Sequence, residues 1–439
     1  MRSMTQPGAI RKSTLTLVLF CIYLLGIHLR LSIYGSDGNA VIPLYFCLSS
    51  GAMLMLVFRA ELSASIKPLL ALTVFLFLLP VLNLLLAPDT VSLLSYKAAV
   101  QFMVSILLSL TLIITLKEVP GHRLRRVVFT IWLLLVVLGL LEFFFLSPLF
   151  AEIGTALYSG SGRGVYDSLD RDVSLYGQVR AKVLASEPSF LAFTMLSLCS
   201  IYYVSASSEG MPKVKLRSAL MFVVTYAICP SMTIVFFLMA LATWQLWPKT
   251  RNQNIRFFCT VILILIAVQT INAFFPYFGA VFAGLVGDHA ATGSFFGRIL
   301  VGPVAGFRVL SEYPLFGIGV GNTDTALPFV EQIWSDKGAY TLFPWFADLR
   351  ARATDLMSNG FWWQWIYLGL IGTPVFIVLT AGTLRTIGVA HPFRALFCAW
   401  IIWYSGSAFI DPISWFIVAI FAFSTVRPLR LHGRPIVHE

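Results

Sequence analysis

The chain has 439 residues, 58% of them hydrophobic and only 12% charged, where a soluble domain carries roughly 25% charged residues. Its apolar runs recur at about the 20-residue length that crosses a hydrocarbon core, which excludes a soluble globular protein and predicts an all-α polytopic membrane protein. The net charge of +11 does not point to nucleic acid, because the basic residues are scattered over short connectors with no aromatic interleaving.

In chain order the spans are read at 14–33, 40–58, 67–86, 93–116 and 127–146, then at 188–206, 216–230, 233–247 and 257–275, and finally at 360–381, 393–409 and 412–426. They form a single transmembrane domain over 1–439. The first span follows Arg11-Lys12 and is similar to a signal peptide. It exceeds the roughly 7–15 apolar residues of such a segment and lacks a small-residue cleavage site, so it reads as a retained span. The runs 216–247 and 393–426 are interrupted only at Cys229-Pro230-Ser231 and at Asp411-Pro412. Proline lacks an N–H and restrains the residue before it, so both points read as reversals, each pair being alternatively one kinked, tilted helix.

Charge favours the hairpins. With both drawn as reversals, most of the 31 Lys and Arg fall on one side, as in Arg123, Arg125, Arg126, Lys213, Lys215 and Arg217. The short connectors opposite carry only Arg30 and Lys97. Basic connectors stay inside, so both termini are expected in the cytoplasm. Two long loops, 147–187 and 276–358, then face the periplasm. The six cysteines, Cys21, Cys47, Cys199, Cys229, Cys259 and Cys398, all lie in or beside apolar spans without a C-x-x-C pair. They read as packing residues rather than disulfides or zinc ligands.

The residues able to do chemistry lie mainly in the two loops. Glu187, in Ser186-Glu187-Pro188-Ser189-Phe190, precedes a span whose first turn tolerates proline. It reads either as a carboxylate offsetting the positive end of the helix dipole or as a general base at the membrane boundary. The outward arginines Arg163, Arg171, Arg180, Arg298, Arg308, Arg350 and Arg352 offer guanidinium forks for phosphate, or simply snorkel. Arg180 and Lys182 stand closest in sequence to Glu187. In the second loop Phe296, Ile299, Leu300, Val304, Phe307 and Leu310 recur at helical spacing, with Gly302-Pro303 as a bend. Arg298 and Arg308 would be about 15 Å apart on one straight helix, too far to share a phosphate, whereas a kinked or re-entrant helix could bring them together.

Gly317-x-Gly319-x-Gly321-Asn322 lacks the spacing and βαβ setting of a dinucleotide fingerprint and reads as a tight backbone turn. Asp170-Arg171-Asp172 is a D-x-D too short to assign a metal, and His289 is the lone histidine of either loop.

Four local patterns together resemble the O-antigen polymerase and ligase superfamily, most of all the Wzy-type O-antigen or exopolysaccharide polymerases. They are Arg180 leading into Ser186-Glu187-Pro188-Ser189-Phe190, and Arg298 and Arg308 followed by Tyr313-Pro314-Leu315-Phe316-Gly317-Ile318-Gly319. The others are Ser358-Asn359-Gly360-Phe361 with Gly369-Leu370-Ile371-Gly372, and the short hairpin near Ser231. The layout of spans, loops and ends is similar as well.

The resemblance implies a GT-C type architecture in the bacterial inner membrane and an inverting glycosyltransferase that polymerises oligosaccharide repeat units linked to undecaprenyl diphosphate. It implies Glu187 as the base, Arg180, Lys182, Arg298 and Arg308 around the donor diphosphate, and Gly319, Asn322 and Asn359 at the loop turn and glycan. No cofactor and no metal are implied, since diphosphate is already a good leaving group. The implied partners are the bilayer, the lipid-linked oligosaccharides, a flippase and a chain-length regulator. Ser358 stands where the ligase branch has a histidine, which counts against the alternative of an O-antigen ligase acting on lipid A core. The other alternative, a lipid-linked oligosaccharide flippase or transporter, calls for ionisable residues inside the spans. The span centres here are nearly free of them, Glu142 lying near an outer end.

Overall fold

The computed structural model describes residues 7–31, 33–34, 40–42, 44–63, 66–86, 93–159, 179–206, 212–247, 296–342, 353–406 and 408–426. The 257–275 span, Cys259, Arg163, Asp170-Arg171-Asp172, His289, Arg350 and Arg352 lie outside them. The described chain is helical apart from one short antiparallel ribbon, β1 (Ile33–Tyr34) with β2 (Ala40–Ile42). Among the described residues six helices are long and apolar enough to cross a membrane, the pattern of a multi-pass membrane protein.

The first half comprises α1 (Pro7–Leu29), α2 (Tyr45–Val57), α3 (Arg59–Ser63), α4 (Ile66–Leu86), α5 (Leu93–Glu118), α6 (Gly121–Leu141) and α7 (Ser147–Tyr158). The span expected over 40–58 is shorter, because Leu44 at φ 69 stops α2 from extending toward the ribbon. The loop expected from residue 147 also begins later. A π turn over Glu142–Leu146 joins α6 to α7, so helix continues to Tyr158. Pro148 does not end the helix, because proline in a first helical turn costs no hydrogen bond.

Then come α8 (Pro188–Ala206), α9 (Pro212–Ile228) and α10 (Thr233–Leu246). Their mutual contacts fix the chain direction. Ser218 Oγ donates to the Cys199 carbonyl and Cys229 Sγ to that of Pro188, so α9 runs antiparallel to α8. The Phe193 and Phe237 rings lie 5.7 Å apart, and Tyr203 donates to Gln245 Oε1, so α10 runs parallel to α8. The chain therefore reverses at Pro230, and the two arms flank α8 rather than each other.

After a π turn (Phe296–Leu300) follow α11 (Val301–Glu312), α12 (Thr323–Asp336), α13 (Ala339–Leu342), α14 (Ala353–Leu356), α15 (Gly360–Thr386), α16 (Pro392–Tyr404) and α17 (Pro412–Ala422). The second reversal is real too: a Val389–Val426 bridge joins the open ends of α16 and α17, and Trp403 Nε1 donates to the Ser414 carbonyl near the tip. Every residue of α17 is buried. It packs on α5, where Ser109 donates to the Trp415 carbonyl, and Phe102, Phe376, Phe409 and Trp415 stack around it. Apolar burial of this kind is worth about 25 cal/mol per Å² only against water, so in a bilayer the close packing itself carries the association.

The amphipathic face expected in the second loop holds at Phe296 and Leu310, which are buried, and fails at Val304 and Phe307. Val301, Ala305 and Val309 are buried, while Val304 and Phe307 are 43% and 65% exposed. Gly302 and Gly306 decide this: a Cβ at Gly306 would lie 2.3 Å from the Trp362 ring, so the glycine side must face α15.

Following these directions, the described parts of both long segments gather at one end of the bundle, with Arg30, the tip at Pro230 and the tip at Asp411. Lys12 and Glu61, joined at 3.2 Å, and the Val389–Val426 bridge mark the opposite end.

Candidate functional site

The first segment is fixed by a buried carboxylate. Glu142, 2% exposed in the π turn, accepts the amides of Lys182 at 2.8 Å and Val183 at 2.6 Å. Val183 and Leu184 both hold left-handed backbone, φ 46 and 67, a strained choice for branched side chains. The surroundings over-determine it. His28 Nε2 donates to the Val183 carbonyl at 2.7 Å, and Tyr158 donates to the carbonyls of Leu29 and Leu184. Cys229 adds a contact to the Ala181 carbonyl. The strained turn delivers Ser186–Phe190 to the head of α8. There the Glu187 carbonyl receives the Phe190 amide, and the half-buried Glu187 carboxylate accepts from Ser189 Oγ at 2.9 Å.

Arg298 is fixed from the second segment. Its π turn is held by Asn359, whose Nδ2 donates to the Arg298 carbonyl at 2.6 Å and to that of Tyr404 at 3.2 Å. Asn359 Oδ1 accepts the Trp362 amide and so caps α15. The Arg298 side chain donates through Nε to Ser358 Oγ at 3.3 Å. It lies along the turn at Gly406, where a Cβ would come within 3.1 Å of Nε.

These two constructions face one partly enclosed cavity of about 190 Å³. Arg298 and Ser358 line it from the second segment, Ser189 and Phe190 from the first. Two further charged residues complete it. Arg30, at the end of α1 with φ 50, sets its guanidinium 3.5 Å from the centre of the Phe190 ring. Asp411, at the tip between α16 and α17, accepts from Gln101 Nε2 at 3.0 Å. The cavity thus combines two guanidinium groups and a carboxylate with an aromatic wall that includes Phe193 and Trp363. Such a surface suits a ligand with an anionic part and a hydroxyl-bearing part.

Several expected site residues lie elsewhere. Arg308 pairs with Asp336 at 3.5 Å on an exposed surface of α11 and α12. A kinked helix could have joined Arg298 and Arg308 at one phosphate, but only Arg298, in the π turn, lines the cavity. Gly319 and Asn322 shape the turn but are enclosed: Asn322 Nδ2 donates to the Ile318 carbonyl, and its Oδ1 accepts from Ser95 at 2.7 Å. A Cβ at Gly319 would lie 2.6 Å from Asn83 Nδ2. Arg180 reaches the Pro230 carbonyl at 3.5 Å, and Lys182 is buried, its amide taken by Glu142. Asn359 holds Arg298 rather than opening to the cavity.

Arg30 and Asp411 were not among the expected site residues, though each left a trace. Arg30 is one of two basic residues on the short connectors expected to face outward, and Asp411 is the sole acid between Asp355 and Glu439. Among the described residues no three His, Cys, Asp or Glu side chains converge as metal ligands. No protein-family model, no curated protein and no solved structure matches the chain.

Proposed function

We propose that the protein is an inverting glycosyltransferase that polymerises oligosaccharide repeat units carried on undecaprenyl diphosphate, at the periplasmic face of the bacterial inner membrane. The observation that supports this most directly is the meeting of Arg298 and Arg30 in one cavity, beside the Glu187 segment, at one end of an apolar bundle. A lipid-linked donor keeps its tail among the helices and its diphosphate at their ends, which is where the guanidinium groups stand.

In this reading Glu187 takes the proton of an acceptor hydroxyl as its oxygen attacks the anomeric carbon of the donor sugar. The bond from that carbon to the diphosphate oxygen breaks, and its electron pair leaves with undecaprenyl diphosphate. Arg298 and Arg30 stabilise the charge gathering on the departing oxygens. Ser189 orients the Glu187 carboxylate, and Ser358, in place of a histidine, orients Arg298 rather than acting as a base.

The sidedness belongs to the same proposal: about twelve spans in a GT-C type arrangement, basic connectors in the cytoplasm and the cavity outside. Cysteine at Ser335, exposed on α12, labels with a membrane-impermeant maleimide in whole cells of a variant stripped of native cysteines. Cysteine at Ser63, near the opposite end, labels only after lysis. The reverse pattern would place the cavity in the cytoplasm and end the reading.

The chemistry is tested at Arg298. A fork that binds two phosphate oxygens is not replaced by a point charge. Arg298→Lys in a complemented deletion strain therefore lowers polymer about tenfold or more at matched protein level, the worth of a charge-assisted hydrogen bond. Arg308→Lys leaves polymer near normal, because its partner is the exposed Asp336. Normal polymer from Arg298→Lys would remove the cavity from the reaction.

A further inference from the structure

We infer that α11 lies in the lipid boundary at the cavity end of the bundle, with Val304, Phe307 and Leu315 against acyl chains, rather than standing in the water outside it. The inference does not depend on which reaction the cavity serves. The scale comes from α15. Its first two turns carry Trp362, Trp363, Trp365 and Tyr367, aromatic residues of the kind that gather where a bilayer meets water. From the break at Gly369 to Thr386 the helix runs about 26 Å, close to the roughly 30 Å of a hydrocarbon core. That part exposes Leu370, Ile371, Val375 and Val378, the face that a spanning helix shows to lipid. The boundary therefore falls near Gly369.

The described contacts hold α11 at this level from both ends. Gly302 and Gly306 press on Trp362, and the Phe307 ring lies 5.2 Å from that of Trp362. Just past the end of α11, the carbonyls of Pro314 and Leu315 accept the amides of Leu370 and Ile371 at 2.8 and 2.9 Å. Leu315, itself exposed, thus stands beside the exposed Leu370 and Ile371. The apolar strip of α15 continues onto it and, by way of Phe307 and Val304, along α11. The helix is divided to match. Phe307 lies on the Trp362 side, whereas Arg308 turns to the other flank and pairs with Asp336 at 3.5 Å. Glu312, one turn on, shares that polar flank. The one hydroxyl of α11, Ser311 Oγ, donates to the Phe307 carbonyl at 2.8 Å and so brings no unpaired donor to lipid. Because α11 follows directly on the π turn of Arg298, this seat sets that arginine at the level of lipid headgroups.

The test places a nitroxide on single cysteines in the purified full-length protein, with the native cysteines replaced, in nanodiscs of phosphatidylcholine and phosphatidylglycerol. The variants are Val304→Cys, Phe307→Cys and Leu315→Cys, with Val378→Cys as the lipid reference and Ser335→Cys as the water reference. Relaxation by oxygen, which enters lipid, is compared with relaxation by a water-soluble nickel chelate, which does not. The oxygen-to-nickel ratio at all three sites is expected to exceed that at Ser335 by about tenfold and to approach that at Val378. Val304 and Leu315 read the same strip if loss of the Phe307 ring disturbs Trp362. Ratios like that of Ser335 at Val304 and Phe307 overturn the inference, even with a lipid-like value at Leu315, since α11 then stands in water. Weak relaxation by both reagents overturns it too, because protein then covers the strip.

Discussion

Replacing Glu187 by glutamine abolishes polymer while the protein accumulates normally. The substitution keeps the shape of the side chain and an oxygen to accept the Ser189 hydroxyl, so the head of α8 stays as it is. What is lost is the proton acceptor. A positioned base contributes roughly 100-fold to 10,000-fold to such a step, and the lower figure already takes polymer below detection on a gel of surface polysaccharide. Immunoblotting of the membrane fraction, run alongside, separates lost chemistry from lost protein. Polymer near the normal level would leave Glu187 only its electrostatic place at the positive end of α8, worth about 0.3–1 kcal/mol.

The largest effect on folding is expected at Gly369. There α15 is broken, with φ 70 and ψ −173, and the break exposes backbone groups that a membrane helix must pair elsewhere. The turn at 314–319 pairs them. The carbonyls of Ile366 and Tyr367 accept the amides of Ile318 and Gly319 at 3.0 and 3.1 Å, and the amides of Leu370 and Ile371 donate to Pro314 and Leu315 at 2.8 and 2.9 Å. The two backbones lie in contact, so a Cβ at Gly369 would sit 2.4 Å from the Gly317 nitrogen and 2.5 Å from the Leu315 oxygen. Gly369→Ala must expel the turn and orphan its hydrogen bonds together. We expect more than about 4 kcal/mol of destabilisation and no monodisperse protein on size-exclusion chromatography in detergent. Gly338→Ala is the control. Its φ is 59 but nothing lies within 4 Å of the added carbon, so it costs about 1 kcal/mol and the protein elutes normally.

That junction also explains which parts of the site could be read from residues alone. Gly317-Ile318-Gly319 and Gly369-Leu370-Ile371-Gly372 stood out as motifs, and they do meet, but as two backbones pressed together rather than around a ligand. Hydropathy located the apolar helices because a bilayer accepts few alternatives, and six of those described are long enough to cross one. Proline and the basic connectors located both reversals, at Pro230 and Asp411. The first loop was begun too early, at residue 147, where a π turn carries the chain into a further helix with Pro148 in its first turn. Periodicity placed Arg298 and Arg308 along one helix, since a π turn has no signature in residue spacing. Arg30 and Asp411 are separated by most of the chain and share a cavity only because α17 ends up among α1, α5 and α8. Contacts of that range leave no local pattern to read.

The position of α17 has a consequence for biosynthesis. The most enclosed helix in the described structure also follows in chain order the helices it packs against, and so leaves the ribosome after them. Until then the neighbouring face of α5, with the hydroxyls of Ser105 and Ser109, waits in the bilayer for its partners, the carbonyls of Ile410 and Trp415. Docking of α17 carries Asp411 to Gln101 and closes the cavity in the same movement. A nascent chain therefore has no assembled site until α17 has been made, and a product halted before Pro412 leaves Ser109 facing lipid without the Trp415 carbonyl, the kind of defect by which membrane quality control recognises an unfinished protein.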